Sequence, residues 1–272
     1  MHSEIHFNQI AHNKISKKYE KLHTEIYNYT EQTRLRNALN LAVNCIKSNN
    51  KAYTALDVGC GAGNLTTHLI DLGVEVTASD ISKDFLKLVE TKHSCVKTHI
   101  LNGEDLSEIA DSTYDMVVTY SVLHHIPDYL KMMTEMCRVL KPGGVLYIDH
   151  EKNENFWNQV PILMEFYKKQ RYSNIPVKII RKLKNYCNPN WYVIQYKRLN
   201  NPRYQEEGDI HVWPDDHIEW EKLKTTAHDN DVIVVKEFDF LLFDSKYKKS
   251  LYDKYCNKIS DMKTVIFRKK FR

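Results

Sequence analysis

The chain has 272 residues, enough for one large domain or two small ones with a sizeable core. Its 39 basic and 35 acidic residues leave a formal net charge of +4, so the overall charge does not indicate a polyanionic partner. The six cysteines are scattered and form no C-x-x-C pair, which argues against a metal site or a disulfide framework. No apolar run is long enough to span a bilayer and the N-terminus has no signal core, so the sequence predicts a soluble, cytoplasmic protein.

Two helices are predicted before the first strand. Apolar residues recur at near-helical spacing within residues 7–15 and again within residues 35–46. Between them, residues 19–29 hold more aromatic and histidine residues than a simple connection needs, including Tyr19 and Tyr27. These tyrosines either pack the helices onto a sheet edge or cover a ligand, and the pattern leaves both interpretations open.

A glycine-rich turn follows an acid-ended strand at residues 55–64, which read Ala-Leu-Asp-Val-Gly-Cys-Gly-Ala-Gly-Asn. Strand, tight turn and helix in this order are typical of the first βα unit of a doubly wound sheet. A dinucleotide-binding loop would have glycine at Asn64, and a Walker-type loop would have Gly-Lys-Ser/Thr, so neither is predicted. A second strand ends at Asp80, whose carboxylate is placed to accept hydrogen bonds from ribose hydroxyls. Because Asp57 beside the turn suits a cation better than a pyrophosphate, the pattern favours a nucleoside with a positive or zwitterionic tail, such as S-adenosylmethionine.

Polar residues also follow the next strands of the predicted sheet. Strands and helices alternate over residues 54–120, which predicts parallel strands with right-handed crossovers. Ser121 and the pair His124 and His125 come after the fourth strand, at the edge where open α/β sheets bind ligands. The histidines either contact a substrate or only orient the loop. The fifth strand ends in three polar residues, 149–151, which cannot all converge because neighbouring strand side chains alternate, so solvated positions are predicted.

Four stretches resemble the motifs of class I S-adenosylmethionine-dependent methyltransferases, in the order and spacing of that family. They are residues 57–63, Asp80, residues 114–126 and the Arg-Val-Leu-Lys-Pro-Gly-Gly stretch at 138–144. The resemblance implies an α/β fold with a doubly wound, mostly parallel seven-stranded sheet of Rossmann-like type. It further implies the strand order 3-2-1-4-5-7-6, with only the seventh strand antiparallel, and S-adenosylmethionine as cofactor, released as S-adenosylhomocysteine.

The same resemblance implies a cofactor site. Tyr19 and Tyr27 would belong to an N-terminal lid over the cofactor, and Ser121 would lie near its methionine part. An acid after the third strand would meet the adenine amine, with Asp105 the first choice and Glu104 the second, unless both are solvated. The predicted cofactor-binding set is Asp57, Gly59, Cys60, Gly61, Asn64, Asp80, Ile81, Glu104, Asp105, Leu106, Ser121 and Tyr27.

An insertion over residues 152–212 interrupts the family pattern and is expected to cap the substrate. From Lys168 to Arg203 it holds ten basic residues and no acidic one, with aromatic residues interleaved. This run is either a solvated helix face or a local field that attracts an anionic acceptor. A helix opening at Pro214, with Asp215 or Asp216 as its cap, and two further strands are predicted to complete the sheet.

The predicted organisation is therefore a lid segment (1–50), a cofactor-binding core (51–151), a cap (152–212) and a C-terminal completion of the sheet (213–272). The predicted function is in-line transfer of a methyl group to an oxygen, nitrogen or carbon atom of a small anionic or aromatic metabolite. The candidate catalytic residues are His124, His125, Tyr19 and His211. One alternative is a methyltransferase that acts on RNA or protein through the basic insertion, and another is a non-catalytic nucleoside-binding module.

Overall fold

The computed structural model describes residues 3–47, 52–173 and 188–271. The strands are β1 (Thr54–Val58), β2 (Glu75–Asp80), β3 (Lys97–Ile100), β4 (Tyr114–Tyr120), β5 (Leu140–Lys152), β6 (Val212–Trp213), β7 (Asp216–His217), β8 (Val232–Phe240) and β9 (Met262–Lys269). The α-helices are α1 (Ser3–Ile15), α2 (Tyr19–Leu22), α3 (Tyr29–Val43), α4 (Asn64–Asp71), α5 (Lys83–Lys92), α6 (Tyr129–Val139), α7 (Glu154–Trp157), α8 (Pro161–Ser173), α9 (Pro189–Asn200), α10 (Trp220–Asp229) and α11 (Lys249–Tyr255). Across these ranges, no helix is both long and apolar enough to cross a membrane.

Seven strands form one sheet in the order β3-β2-β1-β4-β5-β9-β8, and β6 and β7 form a separate hairpin. Strands β1 to β5 are parallel, and β9 runs antiparallel to both of its neighbours, β5 and β8. With the hairpin set aside, this is the predicted order 3-2-1-4-5-7-6 with only the last strand reversed. The predicted fold class, a doubly wound Rossmann-like sheet, is confirmed.

Helices bury both faces of the sheet, as parallel strands require. On one face, α6 and α10 pack against β1, β4 and β5, and Met133 and Leu223 are fully buried there. On the other face, α3 and α4 cover the same strands, and Leu35 and Leu69 are fully buried. Helix α3 therefore forms part of the core layer, although the sequence analysis groups it with the lid. The division into domains remains a prediction.

The first helix buries a different face from the predicted one. Ile10 was expected on the apolar face, yet its side chain is 53% exposed, whereas Ile5 and the polar Asn8 are buried. The reason is that α1 lies across a ligand cleft and not on a sheet face, so its inner side contacts polar loops. Gln9 Nε2 donates to the Ile81 carbonyl at 2.8 Å, and Ser82 Oγ donates to Asn13 Oδ1 at 2.5 Å.

The helix predicted to open at Pro214 begins instead at Trp220, without a side-chain cap. The intervening residues form the β6–β7 hairpin, in which Val212 pairs with His217. Neither Asp215 nor Asp216 caps the helix, since both form ion pairs with Arg203. The capping prediction is therefore wrong, because hairpin pairing holds these residues away from the helix start.

The polar end of β5 also differs from expectation. Asp149, His150 and Glu151 are all buried, so the prediction of solvated positions is wrong. His150 has a φ of +65°, and the pairing with β9 shifts register between Ile148 and Glu151. This irregularity turns the Asp149 carboxylate towards α3 and the Glu151 carboxylate towards the loop after β4, so the triplet does not converge on one point.

A buried ion pair joins α3 to the sheet. Arg34 Nη1 donates to Asp149 Oδ2 at 3.0 Å, and Arg34 Nε donates to Glu31 Oε2 at 2.8 Å. Thr264 Oγ1 of β9 donates to the other oxygen of Asp149 at 2.7 Å, and the Tyr147 hydroxyl also bonds to this carboxylate. The network fixes the second half of the N-terminal segment to the middle of the sheet.

The predicted basic run is described only at its two ends. Lys178, Arg181, Lys182 and Lys184 lie outside the described residues, between α8 and α9. At the described ends, Lys169 pairs with Glu165 and Arg203 pairs with Asp215. These two cations therefore belong to exposed ion pairs, and the role predicted for the run remains a prediction.

Candidate active site

A cleft of about 920 Å³ opens at the carboxyl ends of β1, β2 and β4. Nine of the twelve predicted cofactor-binding residues line it, and so do two of the candidate catalytic residues, Tyr19 and His125. These nine are Asp57, Gly59, Cys60, Gly61, Asn64, Asp80, Ile81, Ser121 and Tyr27. The fold thus gathers residues far apart in sequence into one site.

The floor of the cleft is the glycine turn after β1. Gly59, Gly61 and Gly63 have φ values of +70°, +49° and +85°, a region that favours glycine. At Gly59 an added Cβ would lie 2.6 Å from Val122 Cγ2, whereas at Gly61 it would meet nothing within 4 Å. The first glycine is therefore required by the packing of the next loop, and the second keeps the backbone open to a ligand.

This difference predicts unequal effects of alanine at the two positions. Gly59→Ala combines left-handed backbone strain with overpacking against Val122, so we expect a loss of about 2–4 kcal/mol in the free energy of unfolding. Gly61→Ala adds the strain alone and should cost about 1–2 kcal/mol. Urea denaturation of both variants measures the difference. Equal losses would show that Val122 gives way and that the contact does not constrain the turn.

Two carboxylates lie at the turn. Asp80 Oδ2 accepts the Gly61 N–H at 2.9 Å, and Asp80 Oδ1 accepts the Ser82 N–H at 2.8 Å. Asp57 Oδ2 accepts the Thr66 hydroxyl at 2.6 Å. Burial raises the pKa of Asp80 to about 6 and, together with the nearby charge of Asp80, raises the pKa of Asp57 to about 7. A site built from two such acids favours a ligand that brings hydroxyl donors and positive charge, and disfavours a pyrophosphate.

Aromatic residues from the N-terminal segment cover the cleft. The Tyr19 ring lies edge-on to Phe85 at 5.3 Å and to Tyr27 at 6.2 Å, measured between ring centroids. His12 from α1 also lines the cleft, and its ring centroid lies 5.0 Å from that of His125. Burial raises the pKa of the Tyr19 and Tyr27 hydroxyls, so both stay protonated as hydrogen-bond donors. Both tyrosines thus line the cleft, and their role as a lid over a cofactor remains a prediction.

The loop after β3 does not bring its acids to the cleft. Asp105 accepts hydrogen bonds from Asn102 Nδ2 at 2.8 Å, Ser107 Oγ at 2.7 Å and Lys131 Nζ at 2.8 Å. Glu104 lines a separate outer cavity, and Leu106 is buried in the hydrophobic core. The cleft wall is formed here by Leu101 and Gly103 instead. The structure therefore does not place Glu104, Asp105 or Leu106 at the predicted adenine site, because their loop folds on itself.

The two adjacent histidines after β4 face different spaces. His125 lines the cofactor cleft, whereas His124 lines a second cavity of about 520 Å³ together with His150 and Glu151. Ser121 borders both spaces. The second cavity is thus next to the cleft.

The same two histidines have opposite pKa shifts. Burial alone would lower the pKa of His124, but the charge of Glu151 and its hydrogen bond to Nδ1, at 2.8 Å, raise it to about 9. Burial and the neighbouring histidines His124 and His12 lower the pKa of His125. At neutral pH the pair therefore combines one protonated and one neutral imidazole.

The His211 side chain links two segments of the chain. Its Nδ1 bonds to Asp216 Oδ1 at 2.5 Å, and its Nε2 lies 3.0 Å from the Ile126 carbonyl. Both ring nitrogens are therefore engaged, and the ring ties the β6–β7 hairpin to the loop after β4. His211 borders the second cavity but has no nitrogen left for a substrate proton.

Three residues near the site were not selected from the sequence: His12, Glu151 and Asp209. Glu151 Oε1 accepts the N–H groups of Val122 and Leu123 at 3.1 and 3.0 Å, in addition to the His124 contact. Asp209 Oδ1 lies 3.4 Å from His125 Nδ1 and 3.9 Å from His124 Nε2. No local spacing connects these residues to the histidine pair, because α1, the end of β5 and the returning insertion reach it only through tertiary packing.

Comparison with known proteins agrees with this geometry. Residues 56–148 match the family described as Methyltransferase domain. A demethylmenaquinone methyltransferase of Bacillus licheniformis is 37% identical over 112 residues, which cover 39% of this chain and 48% of the relative. The chain thus spans about half the length of this curated relative.

Two solved structures share the fold over most of the chain. One is a complex of the Haloferax volcanii Trm112 methyltransferase activator with a methyltransferase, with a TM-score of 0.57, 13% identity and coverage of 96% of this chain and 98% of the other. The other is magnesium protoporphyrin IX methyltransferase from Synechocystis with bound S-adenosylhomocysteine, with a TM-score of 0.53, 14% identity and coverage of 89% and 88%. Residues 56–148 thus match a methyltransferase domain, and the described chain shares its fold with both of these methyltransferase structures.

Proposed function

We propose that this protein transfers the methyl group of S-adenosylmethionine to a small-molecule acceptor. The observation that carries the proposal is the pair Asp57 and Asp80 beside an open glycine turn, in a cleft that the tyrosines of the N-terminal segment cover. Asp80 would accept hydrogen bonds from the ribose hydroxyls, and Gly61 leaves room for the cofactor to approach the backbone. The match of residues 56–148 to the methyltransferase domain family supports the same conclusion.

The reaction depends mainly on the alignment of the methyl donor with the acceptor atom. A lone pair of the acceptor attacks the sulfonium methyl carbon as the carbon–sulfur bond breaks, and S-adenosylhomocysteine leaves as a neutral thioether. Holding donor and acceptor in line can supply about 7–11 kcal/mol of the barrier. Ser121, which borders both spaces, marks the boundary across which the methyl group would pass.

The second cavity supports a small acceptor. It is a concave site lined by the loop after β4, the end of β5 and the β6–β7 hairpin, and concave sites favour small ligands. The raised pKa of His124, about 9 because Glu151 outweighs the effect of burial, leaves a positive charge on its wall at neutral pH. We infer an anionic or aromatic acceptor, and the relative is named for a quinone acceptor, demethylmenaquinone. We also propose a cytoplasmic location, because the enzyme would encounter a water-soluble metabolite there.

Calorimetry and isotope transfer test the proposal together. The protein should bind S-adenosylmethionine and S-adenosylhomocysteine and should not bind NADH. Incubation with methyl-labelled cofactor and fractions of a metabolite extract should then move the label into a small molecule. Tight NADH binding without S-adenosylmethionine binding would overturn the cofactor assignment, and label found only in RNA or protein would overturn the acceptor class.

The two acids at the turn predict a pH dependence that separates cofactor from product. Because the pKa values of Asp57 and Asp80 are raised to about 7 and about 6 by burial, both groups become neutral as the pH falls through that range. The sulfonium cation then loses its counter-charge, whereas the thioether of S-adenosylhomocysteine has no charge to lose. From pH 8 to pH 5, we expect the Kd of S-adenosylmethionine to rise roughly fivefold more than that of S-adenosylhomocysteine, equivalent to about 1 kcal/mol. Parallel calorimetric titrations measure this, and equal pH dependences would place the sulfonium away from both acids.

A further inference from the structure

A cluster of potential metal ligands lies at the wall between the cofactor cleft and the second cavity. It consists of His124 Nε2, His125 Nδ1 and Asp209 Oδ1, which all lie within 4.8 Å of one another. The carboxylate oxygen is 3.4 Å from the nitrogen of His125 and 3.9 Å from that of His124. In a tetrahedral site with bonds of about 2.0–2.1 Å, the ligand atoms are separated by roughly 3.3–3.4 Å. The carboxylate oxygen therefore lies at this spacing from His125 Nδ1 and within about half an ångström of it from His124 Nε2.

Glu151 gives the cluster the outer support that metal-binding histidines usually have. Its Oε2 lies 2.8 Å from His124 Nδ1, and its Oε1 is held by two backbone N–H groups of the same loop. Binding of an ion would displace the proton of His124 Nε2 into solvent, while Nδ1–H stays donated to the Glu151 carboxylate, which is the tautomer that a metal takes. In His124 that nitrogen points towards Asp209, so the carboxylate–histidine pair is aimed at the cluster centre.

The second nitrogen of the cluster is buried and unsatisfied. His125 Nδ1 has no hydrogen-bond partner in the described part of the chain, although its side chain is largely buried. A buried polar atom without a partner normally costs about 1–3 kcal/mol, so it needs an explanation. An ion bound between this nitrogen and Asp209 would satisfy the atom and would balance the charge of the partly buried carboxylate as well.

The backbone holds the three ligands in place. Asp209 comes from the returning insertion, and the residues that follow it, Ile210 and His211, both donate their N–H groups to the His124 carbonyl, at 2.9 and 3.1 Å. The preceding Gly208 has a φ of +84° and approaches the backbone of Asn8 so closely that a Cβ would lie 3.1 Å from its Cα. The segment that carries Asp209 is thus fixed to the histidine loop on one side and to α1 on the other.

We propose that His124, His125 and Asp209 form a binding site for a divalent transition-metal ion such as Zn²⁺. Two imidazoles and a carboxylate suit Zn²⁺ and its neighbours, and three protein ligands leave at least one coordination position for another molecule. The sequence analysis predicts no metal site, because the third ligand is separated from the histidine pair by the whole insertion.

The position of the site gives the ion a role if the proposed function holds. His125 faces the cofactor cleft and His124 faces the second cavity, so the open position lies where an acceptor oxygen would be held. A divalent ion there lowers the pKa of a bound hydroxyl, whose proton passes to water. The oxygen lone pair then forms the bond to the methyl carbon while the carbon–sulfur bond breaks and its electron pair stays on sulfur. The inferred acceptor is consequently a molecule with a phenol, enol or other ionisable hydroxyl.

Metal binding can be measured without any acceptor. The full-length protein, stripped with a chelator, is titrated with Co²⁺ and followed by visible absorption, and Zn²⁺ is then added in competition. We expect one equivalent of Co²⁺, bands of a four- or five-coordinate ion, and displacement by Zn²⁺. Asp209→Asn and His125→Gln should each weaken binding at least tenfold, and Glu151→Gln should weaken it about 10- to 100-fold, as outer-shell partners do.

A neighbouring histidine–carboxylate pair supplies the matched control. Asp216→Asn removes the carboxylate that contacts His211 in the adjacent hairpin, where the described residues offer no third ligand atom, and should leave Co²⁺ binding unchanged. Thermal melts confirm that each variant is folded, and Asp209→Asn keeps the size of the side chain if His125→Gln unfolds. Absence of one-to-one binding, or binding that Asp209→Asn does not weaken, would overturn the site. Calorimetry with S-adenosylmethionine on the same samples reports on the cofactor proposal separately.

Discussion

Replacing Arg34 with methionine should lower the free energy of unfolding by about 3–5 kcal/mol, the usual cost of removing one partner from a buried ion pair. The Arg34 side chain is only 17% exposed, and its partners Asp149 and Glu31 are 0% and 1% exposed. Methionine fills a similar volume and keeps contact with Phe240, over whose ring the guanidinium lies at 3.7 Å. The loss therefore arises from two carboxylates that stay buried without their cation.

Urea denaturation with circular dichroism detection measures this effect. Lys222→Met is the matched control, because it removes a cation from an ion pair whose partners are 56% and 45% exposed. Exposed pairs contribute little, so the control should change stability by less than about 1 kcal/mol. Similar effects in the two variants would show that water reaches the Arg34 network and that it does not anchor α3.

The second large effect is expected at Asp80. Asp80→Asn keeps the shape of the side chain but puts an amide where a carboxylate accepts the Gly61 N–H, and it removes an acceptor for the ribose hydroxyls. We expect the Kd of S-adenosylmethionine to rise about 10- to 100-fold, equivalent to about 1.4–2.8 kcal/mol. Because burial raises the pKa of the native acid to about 6, the neutral amide should not unfold the protein.

The Asp105→Asn variant tests whether Asp105 contacts the adenine, as the family resemblance implies, or lies outside the cofactor site, as in the structure. Its carboxylate is bound by Asn102, Ser107 and Lys131 and does not line the cleft, so cofactor affinity should change by less than about twofold. Isothermal titration of both variants measures the difference. If Asp105→Asn were as harmful as Asp80→Asn, the loop after β3 would have to reorganise around the adenine. If Asp80→Asn bound as wild type, the cofactor would not occupy this cleft.

The parts of the fold and site that rest on local spacing could be predicted from the sequence. The turn with Gly59 and Gly61 and the acid at the end of β2 follow from short-range chemistry, and the strand order follows from the alternation of elements and the family motifs. The acids of the loop after β3 lie away from the cleft because Asn102 accepts the N–H groups of Glu104 and Asp105 at 2.7 and 3.0 Å and closes the loop on itself, so their contact with the adenine remains a prediction. The spacing of residues in the sequence does not show that the Asn102 side chain will bind these backbone N–H groups.

The contacts between distant segments could not be predicted for a different reason. Glu151 is in a run of polar residues that looks solvated, and its burial depends on the left-handed backbone at His150. Asp209 reaches the histidines only because the insertion returns across the sheet edge. Both facts depend on tertiary packing, for which one sequence offers no periodic signal.

The Arg34 network divides the N-terminal segment into two parts of unequal stability. Asn28 ends the first part: its Oδ1 caps α3, and its Nδ2 donates to the Phe243 carbonyl at 3.0 Å, so the chain beyond it is bound to the core. Helices α1 and α2 precede this point and contribute few fully buried side chains. We therefore expect cofactor exchange to proceed through local unfolding of residues 3–22, while α3 stays folded. Amide hydrogen exchange should accordingly be fast in α1 and slow in α3, and bound S-adenosylmethionine should slow it in α1 alone.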